Sequence, residues 1–224
     1  LRNLGVSERY QEIRREIESL RPTPQVSVIA VSKYQPQEKV LQALQAGCLH
    51  FGENRVQEGL EKFRDLGIPD RDFVLHHIGP VQSGTLRKYT GMYSYAHGVG
   101  SIASWDELKK RLEKDKWKMG IFLQVNLTGE DSKSGFAEQE ILRILAKESN
   151  LHTEFCRLEG LMTMGPSSGD PTETQRVFHR LGKIREEYFP AGKLSMGMSG
   201  DYRIAISEGS DFVRIGSAIF GERS

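Results

Sequence analysis

Val26-Ser-Val-Ile-Ala-Val-Ser-Lys33 is the first apolar run of this chain, and Leu194-Ser-Met-Gly-Met-Ser-Gly-Asp201 and Val213-Arg-Ile-Gly-Ser-Ala-Ile-Phe-Gly221 are the last two. Working inward from both ends, short apolar runs alternate with charged amphipathic segments. The pattern predicts strands at 26–33, 48–52, 73–79, 93–99, 120–127, 157–164, 193–198 and 212–216. Helices are expected near 36–46, 54–64, 82–89, 104–115, 137–148, 172–188 and from about 201. Eight strands, each followed by a helix or helical turn, predict an α/β fold closed into a single-domain (β/α)8 TIM barrel, because each right-handed crossover returns the chain beside its predecessor. The competing architecture is an open doubly wound sheet. Its usual Gly-x-Gly-x-x-Gly turn is absent after the first strand, where Ser32-Lys33-Tyr34-Gln35-Pro36 stands instead.

Ahead of the first strand, Tyr10, Ile13, Ile17 and Leu20 recur at helical spacing. Ser7 is the expected cap, Pro22 and Pro24 the expected stop, and residues 1–22 the expected covering helix. The breaker-rich stretch Gly165-Pro-Ser-Ser-Gly-Asp-Pro171 is read as a loop at the carboxyl end of the sixth strand. No linker divides residues 1–224, so one domain is expected.

Composition narrows the function. Lys plus Arg total 31 against 30 Asp plus Glu, so the net charge of +1 offers no general field for a nucleic-acid backbone or an anionic membrane. No apolar run approaches the roughly 20 residues of a membrane span. The two cysteines, Cys48 and Cys156, have no paired spacing, so neither a disulfide framework nor a cysteine-rich metal site is supported. Leu1 to Gly5 lack the grammar of a secretory signal. A soluble, cytoplasmic protein is expected, and a monomer, because no extended amphipathic seam is evident.

In a barrel the functional groups sit at the carboxyl ends of the strands, and phosphate sites recur in the loops after strands seven and eight. Both C-terminal motifs fall there. Ser199 lies where strand seven enters a helix start, whose unpaired N–H groups favour an anion. Gly216 and Ser217 repeat the arrangement after strand eight. Barrel closure sets strand one beside strand eight, so Lys33 faces these two cradles across a shared mouth. An amine opposite a phosphate site suggests pyridoxal 5′-phosphate held as a Schiff base on Lys33. Partial desolvation and the nearby cation of Arg214 each disfavour the ammonium. If Arg214 faces the pyridine nitrogen, it opposes protonation there and weakens the ring as an electron sink, which favours binding over carbanion chemistry.

Other candidates carry less. Asn54, at the edge of strand two, suits either a ring contact or a helix cap. In Gln124-Val-Asn126-Leu127, period-two alternation aims either Gln124 and Asn126 or their neighbours at the barrel interior, and Lys133 in the loop that follows meets either ligand or solvent. His76 and His77 are adjacent on a strand and therefore point to opposite faces, which excludes a dihistidine chelate.

At these residues the chain resembles the pyridoxal phosphate homeostasis protein family, the YggS/PROSC-type pyridoxal phosphate-binding proteins. The likeness rests on Ala30-Val-Ser-Lys33, Phe51-Gly-Glu-Asn-Arg-Val-Gln-Glu58, His77-Ile-Gly79, Gln124-Val-Asn126 with Lys133-Ser-Gly135, Gly160-Leu-Met-Thr163, Leu194-Ser-Met-Gly-Met-Ser199 and Val213-Arg-Ile-Gly-Ser217. The resemblance implies a barrel similar to the N-terminal domain of alanine racemase, with Lys33 as the Schiff-base lysine. It implies Ser199, Gly216 and Ser217 at the phosphate and Arg214 toward the pyridine nitrogen. It also implies a carrier or regulator of vitamin B6 supply, with pyridoxal phosphate-dependent apoenzymes as partners and no established reaction. The chain departs from the family pattern at the middle rim, in Ile78-Gly-Pro80-Val-Gln82 and Ala96-His-Gly-Val-Gly-Ser101. The alternatives are a racemase-type enzyme using the same cofactor and a cofactor-free Schiff-base aldolase acting on a sugar phosphate.

Overall fold

The structure, a computed structural model, describes residues 4–21, 25–64, 66, 73–147 and 151–221. Its centre is a closed ring of parallel strands: β1 (Ser27–Val31), β2 (His50–Glu53), β3 (Val74–Pro80), β4 (Tyr93–Val99), β5 (Met119–Asn126), β6 (Cys156–Met162), β7 (Lys193–Met198) and β8 (Phe212–Ile215). Each pairs with its neighbour in the chain, and β8 closes on β1 with Ile29 opposite Arg214 and Ala30 opposite Ile215. The expected TIM barrel is the observed fold, strand for strand.

Around the ring lie α2 (Gln37–Gln45), α3 (Val56–Arg64), a 3-10 turn (Ser83–Lys88), α4 (Ile102–Asp115), α5 (Glu138–Leu145), α6 (Pro171–Tyr188), α7 (Tyr202–Ser207) and α8 (Ser217–Phe220), after the leading helix α1 (Val6–Leu20). Local chemistry sets their starts. The Asp170 carboxylate accepts from Glu173 N at 2.8 Å and Pro171 occupies the first turn of α6, where its missing N–H costs nothing. One short element was not expected: Phe136–Ala137 pairs alongside Val125 and Asn126 of β5 without entering the ring, which delays α5 to Glu138. Residue 148, the expected end of that helix, lies outside the described residues.

The start of α1 also differs from expectation. Gly5 occupies the cap position, and the Ser7 hydroxyl donates instead to Gln42 O of α2 at 2.9 Å. Helix α1 buries Val6, Tyr10, Ile13 and Ile17 and packs across α2, α7 and α8. Each of these side chains contributes about 1.5–3 kcal/mol of apolar burial before entropy is subtracted. Pro22 and Pro24, the expected stop, lie outside the described residues.

Period-two alternation divides the barrel core into two layers. Val28, Ala30, Leu75, Leu123, Leu161, Val213 and Ile215 face the helices, whereas Ile29, Phe122, Met162 and Phe212 fill the ring's interior. The inward parity of Ile29 continues through Val31 to Lys33, so strand alternation itself aims the lysine at the mouth.

Candidate functional site

At the carboxyl end of the ring a cavity of about 520 Å³ opens. Lys33, Asn54, Ser199, Arg214, Gly216 and Ser217 line it, as do Gln124 and Lys133, whereas Asn126 is not among its lining residues. The first six come from strand ends that barrel closure brings together although the chain separates them by up to 184 positions (217 − 33).

The two anion cradles converge. Ser199, after β7, places its Oγ 3.3 Å from Gly216 N and 3.4 Å from Ala218 N, so its hydroxyl oxygen accepts from backbone N–H groups at the start of α8. The serine thus serves the other strand's loop rather than the start of α7. Gly216 has φ −109°, ordinary for any residue, and a Cβ there would meet Val31 no closer than 3.5 Å. No neighbour among the described residues therefore demands glycine.

Arg214 lies on β8 and is buried. Its Nη1 donates to Ser195 O at 2.9 Å and Ser195 Oγ at 2.8 Å, and its Nη2 donates to Thr163 O at 3.1 Å. Burial pushes its pKa down to about 10, opposed by the more distant Asp201 carboxylate. Its hydrogen-bond partners are carbonyls and a hydroxyl, so its charge is available to the cavity.

Lys33 is half-buried at the turn after β1. That turn rests on a buried cluster: the Lys62 ammonium donates to Ser32 O (2.5 Å), Glu53 Oε1 (2.7 Å) and Glu58 Oε1 (3.0 Å), and Ser32 Oγ donates to Glu53 Oε1 (2.7 Å). The Glu58 carboxylate also accepts from Tyr34 N, holding that residue at φ +62°. Positive φ in a non-glycine residue costs of order 1–3 kcal/mol and persists where surroundings enforce it. Burial raises the Glu53 pKa and Lys62 opposes the rise.

Asn54 follows β2, and its carbonyl accepts from His77 Nε2 at 3.1 Å, which leaves His77 Nδ1 to accept from Tyr89 OH at 2.6 Å. His76 faces the barrel interior and His77 the helices, as the strand geometry requires. At the departing rim, Pro80 lines the cavity, and a Cβ on Gly98 would stand 2.0 Å from Gly79 O. Backbone so close leaves no room for a side chain at position 98, which gives Gly98 a steric reason.

On the opposite rim Gln124 Nε2 donates to Ser134 O at 2.7 Å, and Asn126 Nδ2 donates to Glu130 O and Lys133 O, both at 3.0 Å. Lys133 lines the cavity but its ammonium bonds Glu130 Oε1 (2.7 Å) and Gly165 O (2.6 Å), so it ties two loops together. Its hydrogen bond, with those of Ser167, holds the Glu130 carboxyl down to about 2. Sequence reasoning missed Ser195, Thr163, Lys62 and Glu53. Only the inward parity of Ser195 relative to Met196 offered a signal; Lys62 reads as an ordinary basic residue near a helix end.

This geometry has known counterparts. Residues 8–224 match the family model described as alanine racemase, N-terminal domain. The pyridoxal phosphate homeostasis protein of Vibrio alginolyticus is 36% identical over 219 residues, covering 95% of this chain and 93% of that one. PipY of Synechococcus elongatus PCC7942, solved with PLP bound, superposes with a TM-score of 0.83 at 31% identity, covering 96% of this chain and 100% of that one. Alanine racemase of Clostridium difficile 630 shares the fold, with a TM-score of 0.74 at 14% identity, but this chain covers only 60% of it. Barrel, motifs and relatives agree, and the chain belongs to the pyridoxal phosphate homeostasis protein family.

Proposed function

We propose that this chain binds pyridoxal 5′-phosphate in the 520 Å³ cavity and serves vitamin B6 homeostasis as a carrier, without turnover of its own. The observation that carries the reading is the convergence of an amine, two serine hydroxyls, backbone N–H groups and a guanidinium on one space of ligand size. The donor set suits a phosphorylated aromatic aldehyde, and PipY is solved with PLP bound. Lys33 forms the Schiff base, Ser199, Gly216 and Ser217 hold the phosphate, Arg214 faces the ring nitrogen and Asn54 flanks the ring. When bound, the group supplies a reactive aldehyde that can be passed on to pyridoxal phosphate-dependent apoenzymes.

A carrier is favoured over a racemase by the cavity's inventory. Racemisation needs an acid/base group on each face of the substrate carbon. Among the described lining residues none is a carboxylate, imidazole, phenol or thiol, and Lys133 is engaged by Glu130 and Gly165. We further infer a single cofactor-binding domain acting as a cytoplasmic monomer; among the described residues no helix is long and apolar enough to cross a membrane.

The test is a visible absorption spectrum with and without added pyridoxal phosphate, followed by borohydride reduction and peptide mapping. Trapping on Lys33, lost in Lys33→Ala, is expected; trapping elsewhere or no band refutes the site. Alanine racemisation by the holo-protein that disappears in Lys33→Ala would replace the carrier with an enzyme.

A further inference from the structure

Below the cavity floor, the barrel interior holds an unbroken run of hydrogen bonds for which cofactor binding alone gives no role. From Arg214 on β8 the run passes to Ser195 on β7, whose Oγ lies 2.8 Å from His97 Nδ1 on β4. His97 Nε2 lies 2.9 Å from His76 Nδ1 on β3, and His76 Nε2 lies 2.9 Å from His50 Nδ1 at the start of β2. Ser195, His76 and His97 are fully or almost fully inaccessible, whereas half-buried His50 lines a separate cavity at the amino end with Tyr10 and Arg14. The run therefore joins the two mouths of the barrel.

Hydrogen-bonding capacity fixes its direction. A guanidinium only donates, so Ser195 Oγ accepts from Arg214 and gives its single proton to His97 Nδ1. A neutral His97 then carries its proton on Nε2 and donates to His76, which donates in turn to His50. Burial lowers the pKa of both His76 and His97 well below that of a free imidazole, which keeps the rings neutral. The reverse polarity would leave the Ser195 proton with no acceptor among the described residues. Every member of the run thus turns its acceptor atom toward Arg214 and its donor away from it, and aligned bonds polarise one another in a low-dielectric interior. Stacking locks the rings: His97 lies on Phe122 at 4.2 Å and His76 on Tyr95 at 4.8 Å, each pair within 10° of parallel.

We propose that Ser195, His97, His76 and His50 are one positioning device for Arg214, holding its guanidinium in place as a cation without a carboxylate and extending control of the cavity to the opposite mouth of the barrel. Its effect on the cofactor rests on the reading above, that Arg214 faces the ring nitrogen; its effect on Arg214 does not.

The experiment pairs two measurements. In cofactor-free protein, nitrogen-15 NMR of the imidazoles and of the Arg214 guanidinium is expected to show His97 and His76 protonated at Nε2. Guanidinium exchange should quicken roughly tenfold in His97→Phe and by less in His76→Phe, because the hydrogen bond lost or weakened is a charge-assisted one. Both variants keep the ring stacks, and His97→Asn, which keeps a polar atom toward Ser195, should restore part of the protection even if His97→Phe does not fold. In holo-protein the same variants should shift the visible band in the same order, while the surface variant His179→Gln leaves it unchanged. Protonation at Nδ1 of either ring, or wild-type exchange at Arg214 in His76→Phe, would overturn the device. Altered exchange with no visible band in the wild type would instead sink the cofactor reading and leave the device standing.

Discussion

Two buried cations flank the mouth of this barrel and are satisfied in opposite ways. Lys62 sits against the carboxylates of Glu53 and Glu58 and the carbonyl of Ser32, all within 3.0 Å. Arg214 sits against the carbonyls of Ser195 and Thr163 and the hydroxyl of Ser195, with neutral histidines behind. The first charge is cancelled where it stands and serves only to hold the turn that carries Lys33. The second is retained, so its field reaches the cavity. Ion pairing builds scaffold; solvation by neutral dipoles builds a site.

The largest expected effect separates these roles by stability. Lys62→Met strands Glu53 as an uncompensated buried carboxylate and should cost about 3–5 kcal/mol in urea unfolding. Lys62→Met combined with Glu53→Gln should recover much of that loss; a single variant as stable as the parent would erase the contrast. Arg214→Met leaves no orphan charge, only carbonyls short of a donor, and should cost a smaller ~1–3 kcal/mol while moving the visible band of the holo-protein. An unmoved band would place the guanidinium away from the ring.

Acid sharpens the difference further. His76 and His97 titrate well below the ordinary imidazole value of 6.5. A group whose folded pKa is depressed contributes stability that is present above its unfolded pKa and is lost as pH falls through the folded one. Below about pH 6.5 each histidine should therefore remove up to about 1.4 kcal/mol per pH unit, and His76→Phe should flatten that slope. A parent slope already flat would mean that the folded rings take up protons as readily as the unfolded ones. The smallest effect on the fold belongs to Ser199→Ala with Ser217→Ala, expected to leave unfolding nearly unchanged and weaken cofactor retention roughly tenfold by equilibrium dialysis. Unchanged retention would remove the hydroxyls from the phosphate site.

The sequence makes one of these cations legible and hides the other. Arg214 is visible because it stands two residues before a Gly-Ser turn at a strand end, a position that barrel geometry assigns to the mouth. Lys62 lies on α3 among residues that pattern as a solvated helix end, and only tertiary packing buries it. The eight strands were readable because alternation is local. The histidine run was not, since its five members lie on five strands and meet only after the ring closes. Lys133 shows the same limit: its pairing with Glu130 is local, three residues back in the same loop, but Gly165 comes from a distant loop whose meeting with it no local pattern encodes.

Gly216 offers a way to uncouple the presence of this protein in a cell from its cargo. Among the described residues an added methyl group meets only Val31, at 3.5 Å, an ordinary contact, so Gly216→Ala should fold and accumulate like the parent while crowding whatever occupies the cavity. Strains carrying that allele would report what an empty barrel still does. Any phenotype they share with a deletion would trace to occupancy, and any they escape would trace to the protein's surface.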